Sequence, residues 1–289
     1  MNKLLLTLMF VSFFNANAQN PVQEFNFNGS LSNNDKTISF LGSSTFVNDR
    51  MGVANGAIRL TNKALQTVVG DLPQDNKPRS ISIWVKFNAI AAANYIFGYG
   101  SPVNAQYFGL LQKNIAGTNA DLCLAGWGAP NDVVVTAPLA KGIWYQYSVT
   151  YDGTTSKIYR NGELLKSSGG GITRSTKGYI FRLGQMNTSV GLNADIDDIK
   201  IYNVAMTDEQ VMESYTSSKP IAAVDEKTTM AKKGTTDAKT DFKNTAKGNI
   251  IAKKVEIFSQ GKKILGSNAT NINDLPEGTY LLKITNGQN

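Results

Sequence analysis

The chain of 289 residues contains no histidine and a single cysteine. Without imidazole there is no Ser-His or Cys-His nucleophile pair, no histidine general base, and no basis for most transition-metal sites. Any metal would have to be a hard ion held by oxygen ligands. One cysteine cannot form an intramolecular disulfide, so a hydrophobic core or a bound ion has to hold the fold. Cys123 lies in the alternating segment DLCLAGW and reads as a small buried strand residue. Long apolar runs are missing too. The longest, Leu4 to Phe14, is about half of the roughly 20 residues that span a bilayer.

That short run has the pattern of a cleavable export signal. Lys3 precedes the apolar stretch, and the small-x-small sequence Ala16-Asn17-Ala18 closes it. Residues 1–18 are expected to be removed, with the mature chain beginning near Gln19 and secreted. No cysteine stands at the cleavage point to carry a lipid.

The net charge of +7 is unevenly distributed. Residues 216–263 hold eleven lysines, no arginine and five acidic residues in a Thr/Ala/Gly-rich context. Lysine without arginine forks or interleaved aromatics describes a solvated tether rather than a nucleic-acid reader. Such a tether would be attracted to anionic polysaccharide or an outer-membrane surface, and the attraction would be salt-sensitive.

From Pro21 to Tyr202 short segments such as SISIWVKF, YFGLLQ, WYQYSVTY and DIDDIKIYN alternate or run apolar over a few residues, with turn residues between them. No helical period interrupts them, which predicts an all-β, antiparallel two-sheet jelly-roll sandwich over residues 19–219. Asp152-Gly153 and Asn161-Gly162 suit tight hairpin turns. Thr207 and Gln210 form a capping box for a helix of about two turns, with Val211, Met212 and Tyr215 as its apolar face. Residues 220–245 read as a flexible linker. Residues 246–289 read as a small β module, with a strand pair around Gln260-Gly261 and another strand from Thr279 to Thr285.

The segments FNFNGSLSN, SISIWVKF, IWYQYSVTYDGTTSKIYRNGELL, FRLGQ and DIDDIKIYNVAMTDEQV resemble, in that order, the LamG-like jelly-roll family of the concanavalin A-like lectin/glucanase superfamily. Gln146 stands where that family often has histidine, a position of packing rather than chemistry. VEIFSQGKKIL and INDLPEGTYLLKI resemble the C-terminal sorting domain of the type IX secretion system of Bacteroidetes, without its usual opening. This implies type IX secretion machinery as a partner and the outer cell surface of a Gram-negative bacterium as a destination.

The superfamily includes glycoside hydrolases, whose retaining members need two carboxyls about 5 Å apart. The Glu-x-Asp-x-x-Glu strand of the related glucanases is absent, and Asp195 and Asp197 lie in the closing strand instead. The resemblance also implies a structural Ca²⁺ at Asp198, with Asn28 or nearby carbonyls as further ligands. The alternative is that Asp195 and Asp198 bond backbone groups at the strand's end.

Sugars are recognised by exposed aromatic faces beside polar groups. Trp84 and Trp144 open or sit in apolar strands and read as core. Trp127, in the loop GWGAPND, is the candidate stacking platform, with Asn131 and Asp132 as polar partners; Tyr99 and Tyr107 flank a second Gly/Pro/Asn loop. Trp127 reads equally as a lid over the core. The expected function is a secreted, non-catalytic, LamG-like protein binding a glycan or a surface protein. A glycoside hydrolase and a protein-binding adhesion or structural protein are the alternatives.

Overall fold

A computed structural model describes residues 20–90, 93–116, 118–169, 171, 173–185, 191–220, 253–259, 262–265 and 281–286. The export signal and nearly all of the Lys/Thr-rich linker lie outside the described residues.

In chain order the strands are β1 (Gln23–Phe25), β2 (Thr45–Val47), β3 (Ala57–Lys63), β4 (Leu65–Val68), β5 (Arg79–Phe87), β6 (Asn94–Gly100), β7 (Tyr107–Ala116), β8 (Asn119–Ala125) and β9 (Val133–Pro138). They continue as β10 (Trp144–Tyr151), β11 (Ser156–Arg160), β12 (Glu163–Ser167), β13 (Ile180–Leu183) and β14 (Leu192–Tyr202), followed by helix α1 (Asp208–Ser218). An eight-stranded antiparallel sheet has the order β12-β11-β10-β5-β14-β3-β2, with β1 also on β14; a six-stranded antiparallel sheet has the order β4-β13-β6-β7-β8-β9.

The sandwich core comes from the inward set of each alternation. Ile81, Ile83, Val85 and Phe87 of β5 meet Phe97, Leu110, Phe181 and Leu183 of the smaller sheet, all essentially inaccessible to water. Burying each such side chain contributes about 1.5–3 kcal/mol. Phe181 stacks on Phe97 with ring centroids 5.9 Å apart, joining β13 to β6 inside this core.

The β11–β12 hairpin turns on Asn161 (φ 54°) and Gly162 (φ 82°), the paired positive angles of a tight turn. The β10–β11 link differs from the expected two-residue turn. It is a four-residue loop in which Asp152 Oδ1 accepts the N–H groups of Thr154 (2.8 Å) and Thr155 (2.7 Å). Aspartate imposes this by folding its side chain back on the chain.

The capping box at the start of α1 is present in full, with Thr207 and Gln210 bonding each other's backbone N–H. The helix is a turn longer than expected, and its apolar face is narrower. Val211 is buried and Tyr215 packs on Trp84 at 5.8 Å, but Met212 is 39% exposed. No helix among the described residues is long and apolar enough to cross a membrane.

The chain divides into two compact units, Met1–Asp225 and Glu226–Asn289. In the second, β15 (Lys253–Ser259), β16 (Lys262–Leu265) and β17 (Leu281–Asn286) pair antiparallel in the order β16-β15-β17.

A Cβ on Gly162 would lie 2.7 Å from Met212 Sδ and would also require a positive φ of an L-residue. Gly162→Ala is therefore expected to cost about 1–3 kcal/mol, read as a lower urea midpoint with an unchanged slope.

Candidate functional site

The six-stranded sheet turns one face to the core and the other outward. At its end, three connections meet. Residues 101–106 link β6 to β7, residues 126–132 link β8 to β9, and residues 173–179 lead into β13. The two loops singled out in the sequence are joined, since Asn131 Nδ2 donates to Asn104 Oδ1 at 2.6 Å. Trp127 adopts φ 66°, lies half-buried, and sets its ring edge-on to Tyr107 at 5.6 Å. Asp132 Oδ1 accepts the Gly126 N–H at 2.8 Å, which closes the loop on itself. Asn131 and Trp127 thus sit together at the surface, while the Asp132 carboxylate is engaged in holding the loop.

Tyr99 and Tyr107 do not reach a ligand surface, and both are corrections to the sequence reading. Tyr99 points into the core, where its hydroxyl accepts from Arg79 and donates to the Pro73 carbonyl, each at 2.8 Å. Burial pushes its phenol up to about 12, against the pull of Arg79. Tyr107 lies on the outer face but is fully covered, packed edge-on to Tyr95 at 5.4 Å. It rests on glycines: a Cβ at Gly98 would lie 1.9 Å from its hydroxyl, and one at Gly109 2.7 Å from its ring. Absent side chains at these two positions create the slot that buries it. Cys123 belongs to the same cluster, and burial pushes its thiol up to about 12, so it stays protonated and inert.

Beside this cluster lies an open cleft of about 520 Å³. Gln66 of β4, Arg182 of β13, Gly100–Pro102, Lys177 and Tyr179 form its walls. Tyr179 is 47% exposed, the most accessible of the cleft's large hydrophobic side chains. The backbone around it is fixed. The Gln74 amide accepts from Gly178 N (2.8 Å) and donates to Gly178 O (3.1 Å), Ser101 Oγ donates to Lys177 O (3.1 Å), and Val69 N donates to Tyr179 O (2.8 Å). Sequence reasoning missed Tyr179 and Arg182. The alternation in Ile180–Leu183 puts Phe181 and Leu183 inward, so it already placed Arg182 on the outer face.

The two other tryptophans differ from each other. Trp84 is buried, but beneath α1 rather than between the sheets, and its Nε1 donates to Ser218 Oγ at 3.2 Å. Trp144 is only half-buried, with Lys86 Nζ 5.1 Å from its ring centre. Gln146 has the packing role expected of it, donating to Ser218 Oγ at 3.1 Å.

The carboxylates of β14 lie on the opposite sheet, on its outer face. Asp195 is fully buried and receives both Arg59 Nε (2.6 Å) and Nη2 (2.9 Å), Lys86 Nζ (2.9 Å) and Asn88 Nδ2 (2.9 Å). Burial works against its charge, but these partners outweigh it and hold the carboxyl below its ordinary value. Asp197 and Asp198 share one guanidinium: Arg50 Nη1 bonds Asp197, and Nη2 bonds Asp198 at 2.6 Å. Arg50 Nε also donates to the Ser218 carbonyl at 2.6 Å, and its guanidinium lies 4.8 Å over the Trp84 ring. Asp198 stands in a bulge with φ 41°.

This arrangement does not fit the calcium site expected at Asp198 and Asn28. Ca²⁺ takes about six to eight oxygens, whereas here a guanidinium already occupies the space between the two carboxylates. Asn28 is exposed. Among the described residues no three acidic or thiol groups are placed to share a metal ion.

Comparison with known proteins gives a family and a set of folds. Residues 54–212, more than half of the chain, match Laminin_G_3, described as belonging to the concanavalin A-like lectin/glucanases superfamily. A search of curated proteins gives no significant match. Domain 4 of AbnA, a GH43 extracellular arabinanase from Geobacillus stearothermophilus solved in complex with arabinotriose, is 20% identical. The match covers 67% of this chain and 97% of that one, with a TM-score of 0.56. The botulinum neurotoxin serotype D binding domain is 13% identical (69% of this chain, 51% of that one, TM-score 0.53). A serotype D ligand-binding domain in complex with N-acetylneuraminic acid is 12% identical (70% and 52%, TM-score 0.52). The match spans about half the length of these toxin domains, and at such identities the likeness is one of fold.

Two measurements probe the Arg50 cluster. Arg50→Met leaves two carboxyls without their cation and is expected to cost about 3–5 kcal/mol, while calcium leaves the wild-type melting temperature unchanged. Burial, then the Asp198 charge, push the Asp197 carboxyl up to about 8 against the pull of Arg50. The folded state therefore keeps a proton that the unfolded chain releases near about pH 4. Stability is expected to fall as pH rises from there to about 8 and then level off. Urea midpoints across this range should slope less in Asp197→Asn.

Proposed function

Because the chain belongs to the Laminin_G_3 family of the concanavalin A-like lectin/glucanase superfamily, we propose that it is a secreted, non-catalytic protein that binds carbohydrate in the cleft beside the Trp127 loop. The observation that carries this reading is the cleft itself. Its volume of about 520 Å³ is that of a small-ligand site, and an accessible Tyr179 ring stands beside the polar groups of Gln66 and Ser101. A pyranose stacks its C–H face on such a ring while its hydroxyls take polar partners. The bound arabinotriose and N-acetylneuraminic acid of two proteins with this fold support the ligand class.

The non-catalytic part rests on chemistry. Retaining glycoside hydrolysis needs two carboxyls about 5 Å apart at the bond. Among the described residues no carboxylate lines the cleft, and Asp195 and Asp197 are buried against arginines on the other sheet. Export by the 1–18 signal and delivery to the cell surface by type IX machinery through residues 246–289 complete the proposal. A protein-binding adhesion role is the second reading, favoured by Val68 (66% exposed) paired in register with Ile180 (39%) next to the cleft.

A glycan array with the full chain, Trp127→Ala and Tyr179→Ala tests the site. Binding that Tyr179→Ala weakens about tenfold or more at unchanged melting temperature is expected, a loss in the range of one base- or sugar-sized aromatic contact. A folded protein that binds no glycan but retains a surface protein in a pull-down would favour the second reading.

A further inference from the structure

We propose, on the basis of the carbohydrate reading above, that the cleft selects acidic saccharides, in which a carboxylate or sulfate group meets Lys177 and Arg182 while the sugar ring lies against Tyr179. Both cations line the cleft, and among the described residues no aspartate or glutamate does. Five cations of this domain, Arg50, Arg59, Lys86, Lys157 and Lys200, are already in ion pairs. Among the described residues neither Lys177 nor Arg182 has a salt-bridge partner.

The position of Arg182 explains why its charge is left uncompensated. On β13 it is paired in register with Gln66 of β4 on one side and Gly98 of β6 on the other. One neighbour offers an amide and the other no side chain, so the strand face supplies no counter-charge. Lys177 is exposed and also lines the cleft, on backbone tied to Ser101 and Gln106. A concave site with one sign of charge raises the local concentration of opposite ions, and an anionic oxygen on a guanidinium makes the stronger, charge-assisted kind of hydrogen bond. A neutral sugar would gain the ring contact but leave both cations without a partner. The walls are already braced by the Gln74 and Ser101 bonds, so little ordering opposes the encounter.

The test is an array of matched neutral, carboxylated and sulfated oligosaccharides, probed with the full chain and with Lys177→Gln, Arg182→Gln and the double variant. Acidic members are expected to dominate the bound set. Affinity for the best of them should fall about tenfold in each charge variant, as for one charge-assisted bond, at unchanged melting temperature. Added salt should weaken binding. The carboxylated and sulfated arms identify which anion is preferred. Binding confined to neutral sugars overturns this inference and leaves the carbohydrate reading intact. Acidic binding at wild-type strength in the double variant also overturns it, and assigns the attraction to the lysines of residues 216–263. A folded protein that binds no sugar of any class removes the carbohydrate reading and this inference with it.

Discussion

Arg79 and Arg174 are both buried completely, and among the described residues neither has a carboxylate partner. Their guanidiniums stack on the same two rings: Arg79 lies 5.3 Å from Phe108 and 5.4 Å from Tyr151, and Arg174 lies 5.4 Å and 5.6 Å from them. Arg79 spends its donors on the carbonyls of Pro73, Gln74, Asp75 and Lys77, and Arg174 on Ser156 Oγ and the Tyr107 carbonyl. Burial pushes Arg174 down to about 10, which still leaves it charged near neutral pH. Because an unpaired buried donor is costly, these bonds fix the loop before β5, the start of β7 and the segment before β13. The wall of the cleft formed by residues 177–179 hangs from that arrangement. Asp75 bonds Thr176, Gln74 bonds Gly178, and Lys177 follows between them.

What could be read in the sequence was local. Alternation in β5, β10 and β14, the Asn161-Gly162 turn and the Thr207/Gln210 capping box each need only neighbours within a few residues, and each is found as expected. The loop of Trp127 and the loop between Tyr99 and Tyr107 were both picked out by their Gly/Pro/Asn content. Their union through Asn104 and Asn131 depends on how β7 and β8 pair. Tyr99 and Tyr107 were misplaced because two glycines on neighbouring strands open a slot for one ring, and a partner some twenty residues away in sequence, Arg79, captures the other's hydroxyl. Arg50 left no local trace. Its partners Asp197 and Asp198 are 147 and 148 residues away, and only the sheet order brings them together.

Charge is divided unevenly between the two sheets. On the outer face of the larger sheet the acidic residues of β14 are consumed by Arg50, Arg59 and Lys86, and they lock the 48–53 loop and the end of α1 to the strand. On the smaller sheet the cations around the cleft are left without acidic neighbours. The same composition thus gives one surface whose carboxylates are paired with arginine and lysine and another, around the cleft, whose cations have no salt-bridge partner among the described residues.

Arg50 also changes what the domain asks of its surroundings. A guanidinium attached to the chain cannot be diluted, chelated or exchanged, so the junction of β14 and α1 closes without drawing an ion from the medium. Acidic polysaccharides sequester divalent cations. If the proposed cleft takes such polymers, the cation tethered at this junction is one that the ligand cannot withdraw.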